Sequence, residues 1–78
     1  MFIRTVNKLL NSDKLIGIEL KTEGNINPEP SIVFTIKIAK KHQVTTECAY
    51  QSWEIASQVF EELSQAIERG ALLFDVRR

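Results

Sequence analysis

Apolar residues recur at helical spacing between residues 52 and 69, and this pattern predicts one amphipathic helix. The apolar stripe consists of Trp53, Ala56, Val59, Phe60, Leu63, Ala66 and Ile67. Ser52 is suited to cap the N-terminus, and Glu54 places an anion in the first turn, where the helix macrodipole favours it. Arg69 puts a cation in the last turn, and Gly70 can adopt the left-handed conformation that ends many helices.

The chain before the helix alternates between apolar and polar residues, which is typical of strands with one buried face. The clearest strand is Ser31–Ala39, and residues 43–50 follow as its hairpin partner. A three-residue loop, Lys40 to His42, would place Ile38 opposite Val44, and in the same register Phe34 opposite Cys48. A two-residue turn would instead set Glu47 opposite Ile36, so we expect the three-residue loop.

Three further segments complete the expected strands. Residues 14–22 alternate with Ile16, Ile18 and Leu20 facing inward, and residues 71–76 form a short apolar strand after the helix. Residues 3–10 also read as a strand, but its buried face is ambiguous because two sets of apolar positions compete. Residues 23–30 form a loop, since two prolines exclude a central strand. This loop is either a plain crossover or a binding segment.

These elements predict an α+β fold, in which an antiparallel sheet of four or five strands carries one helix across one face, in the order ββββαβ. The chain of 78 residues is expected to form one domain, residues 1–78. The expected core consists of Ile16, Ile18, Leu20, Ile32, Phe34, Ile36, Ile38, Val44, Trp53, Val59, Phe60, Leu63, Ile67 and Phe74.

The small size also favours self-association, because a chain this short buries a modest fraction of its surface. Pairing with a second copy would add buried surface, so we expect a homodimer. Cys48 is the only cysteine, which excludes an intramolecular disulfide and favours a reducing compartment. The N-terminal residues do not resemble a signal peptide, and no apolar run is long enough to span a bilayer. We therefore expect a cytoplasmic protein without membrane association.

Candidate catalytic chemistry is sparse. His42 and Cys48 are the only residues of their types, and six strand positions separate them by roughly 20 Å. This distance excludes a thiol–imidazole pair. A zinc site with nitrogen and sulfur ligands needs more such side chains than the chain has, and the three glycines match no phosphate-binding motif. We predict a protein without catalytic residues, metal or cofactor.

Formal charge sums to zero, yet it is unevenly distributed. The helix carries four glutamates against one arginine, so the rest of the chain is basic. One hypothesis is therefore single-stranded nucleic-acid binding through a basic sheet face and hairpin tip. Its site would comprise Arg4, Lys8, Lys21, Lys37, Lys40, Lys41, Arg77 and Arg78. The outer positions of the two best strands carry no aromatic residue on which bases could stack, which weakens this hypothesis.

The leading hypothesis is a small non-enzymatic module that binds a protein partner, or a second copy of itself. The partner would be held through a sheet edge or the exposed sheet face, because both reuse the hydrogen-bonding groups of strands. The dependence of affinity on salt concentration distinguishes the two hypotheses. Binding through phosphate contacts weakens steeply as the salt concentration rises, whereas binding through apolar contacts does not.

Overall fold

Six strands and one helix follow one another in the computed structural model, which describes residues 1–78. Their bounds are β1 Phe2–Arg4, β2 Leu9–Asn11, β3 Leu15–Lys21, β4 Ser31–Ala39, β5 His42–Ala49, α1 Trp53–Arg69 and β6 Leu73–Asp75, with a 3₁₀ turn at Ser12–Lys14 before β3. The α+β class with one helix is confirmed. The single sheet is wrong, because the strands form two sheets of three, ordered β2-β1-β6 and β3-β4-β5.

The N-terminal segment is a tight hairpin where one strand was expected. The Thr5 N–H donates to the Lys8 carbonyl at 2.9 Å and closes the turn. β1 and β2 then run antiparallel with Ile3 opposite Leu10, and both side chains are buried. The turn explains why residues 3–10 had no consistent buried face. β6 adds to the other side of β1 as a parallel strand.

A β-bulge interrupts β3 near its start. Leu15 pairs with Ile36 and Gly17 pairs with Thr35, so Ile16 has no partner on β4. The extra residue shifts the alternation of the strand. Leu15 takes the inward position, and Ile16 is 52% exposed instead of lying in the core.

The register of the β4–β5 hairpin differs by two residues from the predicted one. Ile36, rather than Ile38, lies opposite Val44. The turn contains only Lys40 and Lys41, and a second bulge leaves Ile38 unpaired between two paired positions. A shift of two residues preserves which residues share a face, so the buried face of the deeper part of each strand was predicted correctly.

The helix begins and ends as predicted. The Ser52 hydroxyl accepts the Ile55 N–H at 3.3 Å, and Gly70 has a φ of 70° with its N–H bonded back to the last turn. Four residues of the stripe are fully buried: Ala56, Val59, Leu63 and Ala66. Phe60 is partly buried, while Trp53 and Ile67, near the ends of the helix, are each nearly half exposed.

One hydrophobic core joins the helix and both sheets. Its buried members are Ile3, Leu10, Ile32, Phe34, Cys48, Tyr50, Ala56, Val59, Leu63 and Val76. The β2-β1-β6 sheet contributes Ile3 and Leu10, and Val76 follows directly after β6; none of the three was among the expected core residues. Five expected core residues are exposed: Ile16, Ile38, Val44, Trp53 and Ile67. The two bulges account for Ile16 and Ile38, and Val44 lies beyond the covered part of the sheet.

The loop of residues 23–30 folds across the outer face of the β3-β4-β5 sheet. The Glu47 carboxylate accepts the backbone N–H groups of Asn25, Ile26 and Asn27, the shortest at 2.7 Å. Because Val33 lies beside Glu47 in this sheet, the loop covers it, and Val33 is buried although it was expected to face solvent. Burial acts against ionisation of Glu47, but the three backbone hydrogen bonds outweigh it and lower the pKa of the carboxyl.

Candidate functional site

An apolar groove of about 510 Å³ lies between β3 and the C-terminal end of α1. We call it the β3 groove. It is lined by Met1, Ser12, Leu15, Gly17, Ile18, Ile67, Gly70, Ala71 and Leu72. None of these side chains is charged, so the groove offers apolar contact rather than ionic recognition.

The local sequence explains why the groove is open. The left-handed Gly70 turns the chain sharply at the end of α1, and the Ala71 N–H bonds back to the Ala66 carbonyl at 3.0 Å. Ile67 therefore stays at the rim, and Leu72 is 83% exposed on the link to β6. On the opposite wall, Leu15 and Ile18 of β3 are only partly buried.

The strand that borders the groove has an unpaired edge. β3 is the outermost strand of its sheet and hydrogen-bonds only to β4. Alternate residues of this seven-residue strand therefore direct backbone N–H and C=O groups outward, where no strand of this chain pairs with them. A free strand edge beside an apolar groove is suited to receive another extended segment.

A second candidate surface is the end of the β4–β5 hairpin, residues 37–45, which we call the arm. All nine residues are exposed, and β3 pairs with β4 only as far as Ile36. The arm is therefore a two-stranded ribbon without a third strand beside it. It carries Lys37, Lys40 and Lys41 and no acidic residue.

The predicted nucleic-acid site is divided among several places. Lys37, Lys40 and Lys41 lie together on the arm. Lys21 lies at the other end of the sheet, because it pairs with Ser31 at the start of β4. Ser31 and Ala39 lie eight steps apart along β4, which corresponds to roughly 26 Å.

Three of the predicted cations lie near the C-terminus, and acidic groups accompany them. Arg77 bonds to the Asp75 carboxylate at 2.6 Å, and Arg78 bonds to Glu62 at 2.9 Å. Arg4 pairs with Asp75 across the β1–β6 ladder. The hydrogen bonds from Arg77 hold the pKa of Asp75 well below its usual range. These acids reduce the positive charge that the arginines offer to a polyanion.

The remaining predicted cations have neutral partners. The Lys8 ammonium donates to the Thr46 hydroxyl at 3.2 Å, and the Lys21 ammonium donates to the Asn25 side chain at 2.7 Å. In contrast, Lys37, Lys40 and Lys41 form no salt bridge and no side-chain hydrogen bond within the chain.

The chain's histidine and cysteine lie apart, as the sequence predicts. His42 is exposed at the turn opposite Ala39, whereas Cys48 is buried beside Ile32. The Cys48 thiol lies 3.9 Å from the Val76 carbonyl, and the Tyr50 hydroxyl donates to the same carbonyl at 2.6 Å. Burial, together with the neighbouring Cys48, raises the pKa of Tyr50. These buried groups tie β6 to the core.

Sequence reasoning missed the β3 groove. It placed Ile67 in the core, and it placed Leu72 on a strand beginning at residue 71, whereas β6 begins at Leu73. The sequence does contain a signal for it, which is the number of large apolar side chains. Residues 14–22 and the helix together carry more of them than one helix–sheet contact can cover.

No known protein family, curated protein or solved structure matches this chain. No group of three or more His, Cys, Asp and Glu side chains is arranged to hold a metal ion. The single helix is too short and too polar to cross a membrane.

Proposed function

We propose that this protein is a small non-enzymatic interaction module of the cytoplasm that self-associates through β3 and the β3 groove. The observation that carries the proposal is the unpaired edge of β3 directly beside an apolar groove that no charged side chain lines. A second copy would add its own β3 to this edge and cover the apolar side chains at the rim. The lone, buried Cys48 suits a reducing compartment.

Apolar exposure supports this choice of surface. Ile16 on β3, Ile67 on α1 and Leu72 on the link to β6 are all large and about half exposed or more. Removing such side chains from water favours association by about 25 cal/mol for each Å² of apolar surface. The contact therefore has a driving force in addition to the strand hydrogen bonds.

The net charge and the sequence of β3 are compatible with a second copy as the partner. The chain has no formal net charge, so two copies do not repel one another at long range. The edge strand is also self-complementary. When two antiparallel β3 strands meet at Ile18, the whole strand faces its copy, and Ile16 lies opposite Leu20 of the partner subunit.

Sedimentation equilibrium over a concentration series tests the proposal. The unmodified chain is expected to form dimers, and Ile16→Lys is expected to raise the dimer dissociation constant at least about tenfold, because it places a charge at the contact. Ile26→Lys is the matched control. Ile26 is more exposed than Ile16 but lies over β5, at the opposite edge of the sheet.

The control variant should dimerise as the unmodified chain does. Circular dichroism of each variant establishes that the fold is retained. A chain that remains monomeric at every concentration, or a dimer that Ile16→Lys and Ile26→Lys weaken equally, would overturn the proposal. A dimer that persists in Ile16→Lys would place the contact elsewhere and would also overturn it.

A further inference from the structure

We infer that the arm, residues 37–45, is a binding element for duplex DNA that contacts the phosphates of one groove with its lysines. This inference concerns a different surface from β3 and does not depend on self-association. It also reduces the predicted nucleic-acid site from eight cations in several places to the three lysines of the arm.

The first argument is local charge. The arm carries three lysines and His42 within nine residues and contains no acid. Along β5, the first acidic residue beyond the arm is Glu47, and its carboxylate is bound by the backbone of the 23–30 loop. The arm is therefore a basic element on a chain whose total charge is zero.

The second argument is availability. Arg77 and Arg78 form salt bridges within the chain, whereas the three arm lysines form none. A phosphate that meets the arm displaces no internal partner from Lys37, Lys40 or Lys41. Contact with the arginines at the C-terminus would instead compete with Asp75 and Glu62.

The third argument is shape, and it favours a duplex over a single strand. Single-strand binders stack bases on exposed aromatic side chains, and the arm has no Phe, Tyr or Trp. A two-stranded β-ribbon, however, fits the major groove of B-form DNA, which is about 12 Å wide. The exposed Ile38 and Val44 add apolar surface suited to thymine methyl groups in that groove.

Fluorescence anisotropy with a labelled duplex of about 20 base pairs tests the inference in a salt series. Three phosphate contacts predict a slope of log K against log salt of about −2.7, so affinity should fall about 500-fold for a tenfold rise in salt. Lys40→Gln/Lys41→Gln is expected to reduce the slope to about −0.9 and to weaken binding at low salt at least about tenfold.

The matched control is Arg69→Gln/Gln58→Glu, which lowers the net charge by the same amount on exposed helix positions. It should leave the slope unchanged. The corresponding single strand should bind more weakly than the duplex, and poly-glutamate at equal charge should compete poorly.

Four results would overturn the inference. They are the absence of duplex binding at low salt, equal losses in the arm variant and the control, tighter binding of the single strand, and equal competition by poly-glutamate. The last result would indicate an acidic protein partner for the arm. Circular dichroism of both double variants shows whether a loss reflects unfolding.

Discussion

The 23–30 loop and the arm both extend from the β3-β4-β5 sheet, and they differ in what holds them. The loop folds back over the sheet because Glu47 accepts three of its backbone N–H groups. The arm continues outward as a ribbon, with every residue from 37 to 45 exposed. A single carboxylate, that of Glu47, therefore holds the loop against the sheet. The arm contains no acidic residue and remains exposed.

The largest effect on the free energy of unfolding is expected in the buried part of β4, just before the arm begins. Phe34→Ala removes a fully buried ring from β4 and is expected to lower the free energy of unfolding by about 3–5 kcal/mol. Ile38→Ala, four residues farther along the same strand, should change it by less than about 0.5 kcal/mol, because the side chain is mostly exposed. Urea denaturation of both variants measures the contrast. Equal losses of stability in the two variants would mean that the arm packs against the rest of the protein.

The next largest effect on stability is expected at Tyr50, which lies beside the end of the 23–30 loop. The Tyr50 N–H donates to the Pro30 carbonyl at 2.9 Å, and its hydroxyl donates to the buried Val76 carbonyl. Tyr50→Phe leaves that carbonyl without its hydroxyl partner and should cost about 1–3 kcal/mol in urea denaturation. A change near zero would show that the hydroxyl does not anchor β6.

Tyr50 also makes a prediction for alkaline pH. Burial raises its pKa in the folded state, so the unfolded chain releases this proton first, at a pH of about 10. The stability that Tyr50 contributes is therefore complete below pH about 10 and declines as the pH rises above it. Absorbance of tyrosinate should appear together with the loss of helical circular dichroism. Ionisation before unfolding would contradict the buried hydrogen bond.

A smaller and local effect should follow from Glu47→Gln. The amide keeps one oxygen acceptor but no charge, so the bonds from Asn25, Ile26 and Asn27 weaken. Hydrogen exchange at these three amides should accelerate, while exchange within the arm stays unchanged. Glu29→Gln, in the same loop, is the matched control because its carboxylate accepts no hydrogen bond from the chain. Equal acceleration in both variants would indicate a general loosening of the loop.

Acid should act in the same direction as Glu47→Gln. The pKa of Glu47 is lowered in the folded state, so its contribution is present above the pKa of the unfolded chain. It is lost as the pH falls through the folded pKa. A carboxyl-carbon titration by NMR should give a midpoint below the ordinary value of about 4.3. A midpoint at or above that value would contradict the three backbone bonds.

The smallest effect is expected from Gly24→Ala. A methyl group there would overlap the Glu47 carboxylate and lie 3.0 Å from the Ser31 hydroxyl oxygen. Since the carboxylate is the end of a flexible side chain, it can move aside at little cost to global stability. The loop amides should nevertheless exchange faster, as in Glu47→Gln. Unchanged exchange would show that the loop accommodates the methyl group without losing its contact.

The sequence predicted the elements that depend on local patterns. Ser52 and Gly70 mark the ends of the helix because capping involves only neighbouring residues. The alternation in Ser31–Ala39 predicted that strand to the residue. Bulges are different, because an extra residue is visible only against its partner strand. Ile16 and Ile38 therefore appeared to be core residues and are exposed.

Long-range pairing limited the rest of the prediction. The second sheet forms because β6 returns to β1, and no local pattern predicts that these two strands pair. The basic arm could be predicted in part, since Lys40 and Lys41 lie at an evident turn. The β3 groove could not, because it arises where α1, β3 and the link to β6 meet.

The parallel contact between β1 and β6 has a consequence for biosynthesis. Phe2 pairs with Leu73, so β1 cannot pair with β6 until the 70 residues between these two have been synthesised. Contacts of such long sequence separation form slowly and favour folding after translation rather than during it. Before β6 is synthesised, the core in which Ile3 and Leu10 are buried is incomplete. A nascent chain stalled before residue 73 should therefore bind chaperones efficiently.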